Sequence, residues 1–419
     1  MTYMQNDNFD KAIRICVIGG GAAGMMAAGT AAMYGADVTI YESNDRLGKK
    51  LAITGKGRCN VTNNCDREEF LENVTKNARF LYAPLSAFST SDTMTLFESL
   101  GVALKTERGR RVFPESDRAK EIVDAMVSYS SGASKIYEKV TAVTKDEEGF
   151  KVKTKNGCQT YDKVIIATGG KSYPLTGSDG SGYKLAMKLG HSVTTLIPSL
   201  IPLESPSELC ERMQGLSLKN VKIEIRNEAE KLLYSDFGEM MFTHFGVTGP
   251  VILSASARIR DVDITKLTLH IDLKPALDEK ALDARLLSDF SEKNNKDVVN
   301  AFGDLLPTKM IEPFVDYTRI DPRKKVNSLT REERHAILYA MKDLKIPLSG
   351  FRPIEEAIIT SGGIEVKEIS PKTMESKLCE GLYFAGEVID VDAYTGGYNL
   401  QIAFSTGYLA GKYAAEYYY

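Results

Sequence analysis

Eleven consecutive residues, TGKGRCNVTNN at positions 54–64, crowd two glycines, Lys56, Arg58, Cys59 and several amide and hydroxyl side chains into one short stretch. No helical or strand period runs through them, so the segment reads as a loop. Two readings stand at this level. It is a solvated surface turn, or it lends backbone amides and fixed cations to an anionic ligand.

The neighbouring segment favours a ligand. In IRICVIGGGAAGMMAAGTAAMYGADVTIYE (13–42) an apolar strand ends at Ile18, and Gly19, Gly20, Gly21 and Gly24 follow. A helix of small residues then runs to a stop at Gly35, and a second strand, DVTIYE, closes on Glu42. G-x-G-x-x-G between a strand and a helix, with an acid at the end of the next strand, is the dinucleotide fingerprint in its required context. Gly19 permits the tight turn, Gly21 admits a pyrophosphate to the backbone, and Ala23 and Gly24 let the helix approach the sheet. The positive helix end faces the phosphates, and Glu42 accepts from ribose hydroxyls.

These residues need a sheet to hold them. A later strand, TYDKVIIATGG (160–170), ends in a glycine pair, and GSDGSGYKLAMKLG (177–190) reads as a helix capped by Asp179 or Ser181 and stopped by Gly190. From about residue 193 the pattern changes to alternation, in VKIEIR (221–226) and LTLHIDLK (267–274), which predicts an antiparallel sheet. Residues 276–344 are charge-rich with helical spacing, and Thr330 with Glu333 predicts a capping box. The tail, GLYFAGEVIDVDAYTGGYNLQIAFSTGYLAGKYAA (381–415), returns to strand, glycine-rich loop and small-residue helix. Both ends of the chain then share one sheet around one ligand. A second strand end and helix N-terminus suit a cofactor longer than a nicotinamide nucleotide, which points to FAD.

Composition sets limits on the rest. The 419 residues are 43% hydrophobic and 26% charged, as expected of a globular enzyme of more than one domain. With 53 Lys and Arg against 56 Asp and Glu, the net charge of −3 predicts no nucleic-acid partner and no attraction to an anionic membrane. The first dozen residues are polar without the pattern of a signal peptide, and no apolar run is long enough to span a bilayer. Six cysteines without C-x-x-C and four scattered histidines predict no metal site and reduced thiols, hence a cytoplasmic location.

Together, VIGGGAAG, TGKGRCNVTN, THFGVTGP, TMESK and GLYFAGEVIDVDAYTGGYNLQ resemble the YhiN/BaiN-like FAD-dependent oxidoreductases, which include flavoproteins named aminoacetone oxidases. The resemblance spans nearly the whole chain. It implies an α/β protein with a glutathione-reductase-type, Rossmann-like FAD-binding fold, interrupted by an inserted β domain and a small helical domain. The expected limits are 1–193 plus 347–419 for the FAD-binding domain, 194–275 for the β domain and 276–346 for the helical insert. Carried over by position, Gly19, Gly21 and Gly24 hold the pyrophosphate and Glu42 the adenosine ribose. In DRLGKK, Arg46 and Lys49 lie near the adenine half. Val140 corresponds to a strand position whose backbone meets adenine, and Ala167, Thr168 and Gly169 form the second crossing against the nucleotide. Gly386 and Glu387 lie by the ribityl chain, where many relatives have Asp in place of Glu387. Asn399, Leu400 and Gln401 open a helix whose N–H groups face the flavin pyrimidine edge. A positive helix end there stabilises reduced flavin. The resemblance also sets the 54–64 loop beside the cofactor, with Lys56 and Arg58 near phosphate or flavin, while Cys59 reads as a packed thiol or a redox partner.

The flavin carries the difficult step, so the chain needs only a proton donor or acceptor. His270 reads as exposed on the sheet's polar face, and His191 and His335 read as structural. His244, between aromatics in MFTHFGVTGP, either faces a substrate cavity or is a core histidine. Tyr394 and Tyr398 are alternative acids or cavity walls, and TSGG (360–363) either lines the flavin or is a plain turn. No second complete nucleotide finger is present, so NAD(P)H would dock transiently. Three functions follow. One is NAD(P)H-dependent reduction of an activated C=C bond in a small apolar enone, such as a 3-oxo steroid or bile-acid intermediate. Another is oxidation of an amine-bearing substrate, an aminoketone, by dioxygen. The third is a flavin-bearing sensor or RNA-modification partner without turnover.

Overall fold

The computed structural model describes residues 12–416; nearly all of the polar stretch expected to lack a leader lies outside them. The chain forms two compact units. One runs to Pro198 and resumes at Ile354, and the other is Ser199–Pro353.

The first unit is built on a five-stranded parallel sheet, in the spatial order Leu382–Phe384, Lys163–Ile166, Arg14–Ile18, Asp37–Tyr41 and Ser134–Ile136. The central strand is buried through Cys16, Val17 and Ile18, as a strand covered on both faces must be. Ile18 pairs with Tyr41 on one side and Ile166 on the other, and Ile166 pairs with Phe384. Three strand ends therefore meet at one edge, and the glycine loops of all three open there. Helix Ala22–Met33 packs against the terminal helix Tyr398–Ala415 through small residues. A Cβ on Gly407 would stand 2.5 Å from the Ala23 carbonyl oxygen, and one on Gly411 would stand 2.3 Å from that of Ala27. Only glycine permits this approach, and it places the two ends of the chain side by side.

The second unit is a seven-stranded sheet with antiparallel neighbours. The predicted alternation is realised in Ser217–Asn227, where Val221, Ile223 and Ile225 are buried. The helical insert expected at 276–346 is not a unit of its own. Leu282, Leu286 and Phe290 of helix Glu279–Glu292, with Phe314 and Ile337 from the two following helices, share one hydrophobic core with Ile223, Leu269 and Ile271 of the sheet. Strand Leu344–Pro347 then rejoins that sheet beside Leu267–Asp272. Charge-rich helices with one apolar face need such a surface to bury against, which periodicity alone does not reveal. The capping box forms as predicted, with Thr330 Oγ1 accepting from Glu333 N at 3.2 Å and Glu333 Oε2 accepting from Thr330 N at 2.8 Å. Among the described residues no helix is long and apolar enough to cross a membrane.

Candidate active site

The first glycine loop is sterically confined except at Gly21. Gly19 adopts φ +106°, and a Cβ there would sit 2.4 Å from the Ala167 carbonyl oxygen. A Cβ on Gly24 would sit 1.8 Å from the carbonyl oxygen of Gly19. Gly21 differs, since its Cβ would meet nothing within 4 Å. Glu42 is buried at the end of its strand. Its Oε2 accepts from Gly20 N at 2.9 Å, and its Oε1 from Asn44 N and Nδ2, each at 2.8 Å. A carboxylate oxygen has room for two donors, so Oε2 retains one free acceptor site for a hydroxyl. Lys49 Nζ bonds Asn44 Oδ1 at 3.2 Å, while Arg46 is exposed and makes no ion pair among the described residues.

The second crossing abuts the first. Ala167 ends its strand, Gly169 takes φ +71°, and Thr168 Oγ1 is buried with no protein partner. Val140, expected on a strand, is buried in the connection between Ser134–Ile136 and Ala142–Asp146. Helix Ser181–Lys188 starts behind Gly180, with Asp179 Oδ1 accepting from Ser181 N at 2.9 Å. On it, the Tyr183 hydroxyl is buried without a partner.

At the third strand end, Gly386 takes φ +77°, and a Cβ there would lie 2.7 Å from that of Ala23. Glu387 is a hub. Lys50 Nζ donates to its Oε2 at 2.7 Å, and Ser172 Oγ and Thr360 N donate to its Oε1 at 3.0 and 2.9 Å. Lys50 and Ser172 escaped the sequence reading. Nothing in DRLGKK separates one lysine from the next, and only the backbone direction sends Lys50 rather than Lys49 to Glu387. The TSGG segment joins this hub through Thr360, whose Oγ1 also accepts from Lys171 N at 2.8 Å.

The terminal helix begins behind Gly397, at φ +96°, where a Cβ would be 2.3 Å from the Thr62 carbonyl oxygen. Its first-turn N–H groups, from Tyr398 to Leu400, have no intrahelical acceptor. The side chain of Asn399 folds back to bond Ala393 N and O at 2.9 and 2.7 Å, and Leu400 is half-buried. The buried Gln401 side chain takes a hydrogen bond from Thr62 at 2.6 Å and donates to Ser89 O and Ser405 Oγ. The 54–64 segment is thus fastened to the start of this helix. Expected to be loop throughout, it instead ends a short helical turn at Gly57 and pairs Thr62 and Asn63 as a strand with Val112 and Arg111. Within it Lys56 is exposed in the left-handed region, at φ +58°. The Arg58 guanidinium is taken up by Glu107 and Asp117 and lies 4.2 Å from the centre of the Phe113 ring, so it is not a free cation. Burial pushes the Cys59 thiol up to about 12, which leaves a packed, protonated sulfur.

The candidate acids and bases are scattered. His244 is exposed at the turn between strands Leu232–Thr243 and Gly246–Thr248, edge-on to Phe245, which removes the core reading. His270 was expected on a wet face. It is buried instead, with Nδ1 bonded at 2.6 Å to Asp343, a partner that alternation cannot foresee. His191 is buried between Glu368 and Ser376, and His335 is half-buried near Tyr339. Tyr394 is half-buried in the loop before the terminal helix, and Tyr398 packs edge-on to Phe70.

These residues fit FAD. Open space in front of Gly21 stands where a pyrophosphate would lie, with the free site of Glu42 Oε2 at one side. Thr168 Oγ1, just past the second strand end, Tyr183 Oη on the following helix and Asn60 Oδ1 in the 54–64 segment are buried polar atoms without protein partners. Buried polar atoms are rarely left so unless a ligand or water completes them.

Comparison with known proteins agrees. A family model described as "HI0933-like protein Rossmann domain" matches residues 13–413. The 3-dehydro-bile acid delta(4,6)-reductase of Clostridium scindens is 30% identical over 425 residues, covering 96% of this chain and 99% of that protein. The ribosomal RNA dihydrouridine synthase of Escherichia coli is 29% identical, covering 94% of this chain and 96% of that one. Among solved structures, Mycobacterium smegmatis Sdh1 in complex with UQ1 covers 97% of this chain and 68% of its own, with a TM-score of 0.51 and 16% identity, a likeness of fold alone.

Proposed function

This chain belongs to the HI0933-like family and is a flavoprotein oxidoreductase with a Rossmann-like FAD-binding unit, and from that premise we propose that it reduces a C=C bond conjugated to a carbonyl, with NAD(P)H as donor. The observation that carries this reading is the helix Tyr398–Ala415, whose first-turn N–H groups have no intrahelical acceptor and follow Gly397, which abuts Thr62, while Gly386 packs against the same helix at Ala403 and Thr406. When bound there, FAD supplies hydride transfer. The helix end favours negative charge beside it. Gly19, Gly21 and Gly24 would hold the pyrophosphate and Glu42 the ribose. Thr168, Gly386 and the Glu387 hub would flank the ribityl chain. We place the proton that completes the reduction on the Tyr394 hydroxyl, in the loop that leads into this helix.

The first substrate class is a 3-oxo steroid or bile-acid-like enone, supported by the name of the 30%-identical relative. A second reading is a uracil ring in RNA, favoured by the dihydrouridine synthase at 29% identity. Both substrates present the same group, a C=C bond whose β carbon accepts hydride and whose α carbon accepts a proton. Dioxygen-dependent aminoketone oxidation and a flavin sensor without turnover remain outcomes of the test. Anaerobic mixing with NADPH and then a 4-en-3-one steroid is expected to bleach and then restore the flavin absorbance, with Tyr394→Phe slowing only the second step. A flavin that NAD(P)H never bleaches, yet an aminoketone does, would overturn the reductase in favour of the oxidase.

A further inference from the structure

The strands Leu104–Glu107 and Arg111–Pro114 form a hairpin whose charges the proposed reduction does not use. Its tip is exposed from Arg108 to Arg110 and is held in left-handed geometry, with Gly109 at φ +73° and Arg110 at +57°. Arg58 is neutralised by Glu107 and Asp117, and Arg110 pairs with Glu69. Lys56, Arg108 and Arg111 form no ion pair among the described residues. Residues 104–114 carry Lys105, Arg108, Arg110 and Arg111 against the single acid Glu107, a local excess of positive charge on a chain of net charge −3, although Arg111 also bonds Arg108 O through Nε at 3.1 Å. The tip is also fastened to the turn before the terminal helix. The buried Asn63 amide donates to Gly109 O at 3.0 Å and to Gly396 O at 3.1 Å, and Asn64 N donates to Arg110 O at 2.7 Å.

We propose that this cationic tip docks the phosphodiester backbone of an RNA strand, so that a uracil is brought to the Gly396–Gly397 turn. The inference rests on the uracil reading above. The turn is exposed, and the space around Gly109 is open, with no concavity at that residue in which to bury a small ligand. A polymer needs none, because each phosphate it places on a cation releases a counter-ion. Arginine is the side chain suited to phosphate, and the two hairpin cations outside any ion pair among the described residues, Arg108 and Arg111, are both arginines.

The test is fluorescence anisotropy of a uridine-rich single-stranded RNA with the FAD-loaded protein across a salt series, beside the double variant Arg108→Gln/Arg111→Gln. Loss of two phosphate contacts is expected to weaken binding about tenfold at low salt and to reduce the slope of log K against log salt by about 1.4. The FAD content and the unfolding midpoint are expected to stay as in the unchanged protein. Equal affinity and slope in the two proteins, or no RNA binding at all, overturns the docking site. Dihydrouridine formation, followed separately by mass, distinguishes the two failures. RNA bound through the tip but never reduced upholds the site and sinks the uracil reading. RNA reduced equally well by both proteins does the reverse.

Discussion

Thr62 Oγ1 donates a 2.6 Å hydrogen bond to Oε1 of Gln401, joining the 54–64 loop to the terminal helix across 339 positions of chain. Neither side chain is exposed, and the Gln401 amide goes on to Phe88 O, Ser89 O and Ser405 Oγ. The loop is therefore a brace for the helix N-terminus that faces the flavin in our reading. Gln401→Leu strands a buried hydroxyl and deprives buried carbonyls of a donor. It is expected to cost about 2–4 kcal/mol in urea unfolding and to weaken FAD retention. An unchanged midpoint would mean the brace adds nothing to stability.

The Lys50–Glu387 pair ties the segment after the first glycine loop to the third strand end, with side chains 23% and 15% exposed. Lys50→Met leaves Glu387 with only its Ser172 and Thr360 donors. Given this partial exposure, the expected loss is about 1–2 kcal/mol, less than for a fully buried pair. A double-mutant cycle with Glu387→Gln, read by both unfolding and FAD titration, should show coupling of the same sign in each. Additive effects would make the pair incidental.

His191 gives a pH signature. Burial lowers its pKa, opposed by the Glu368 carboxylate, so the folded state binds fewer protons than the unfolded state near an ordinary histidine pKa of about 6.5. The contribution is then fully present above that pH and is lost as pH falls from there toward the folded value. Unfolding free energy is expected to decline below about pH 6.5, and His191→Gln is expected to flatten that decline. A variant that keeps the full slope would assign it to another group.

Cys59, pushed up to about 12, and Cys65, pushed up to about 11, stay protonated at neutral pH. A thiol reagent should label the exposed Cys158 first and Cys59 only on unfolding. Cys59→Ala is expected to leave the flavin spectrum as it was. Loss of a long-wavelength charge-transfer band in that variant would restore the redox reading.

Much of the first unit was legible because local rules and tertiary packing agree there. The turn at Gly19, the small-residue helix and the strand ending at Glu42 are each dictated by steric limits that residue types display. What escaped depends on partners distant in sequence. Arg58 looks like a free cation until Glu107 and Asp117 are folded beside it, 49 and 59 positions away. His270 sits at a position that alternation assigns to solvent, but Asp343 lies 73 positions on. Lys49 and Lys50 have identical chemistry, and only the path of the chain decides which meets Glu387. The helices of the second unit showed their apolar faces in the sequence but not the sheet that covers them.

The central claim is that the three glycine loops cradle FAD, and Gly21→Val tests it most directly. Gly21 has φ −79° and open space around it, so valine fits the protein itself but occupies the place assigned to the pyrophosphate. The account predicts a variant with unchanged circular dichroism and unfolding midpoint that purifies without flavin and takes up none from added FAD, while the parent carries one FAD per chain. A folded Gly21→Val protein that holds FAD as the parent does would contradict it.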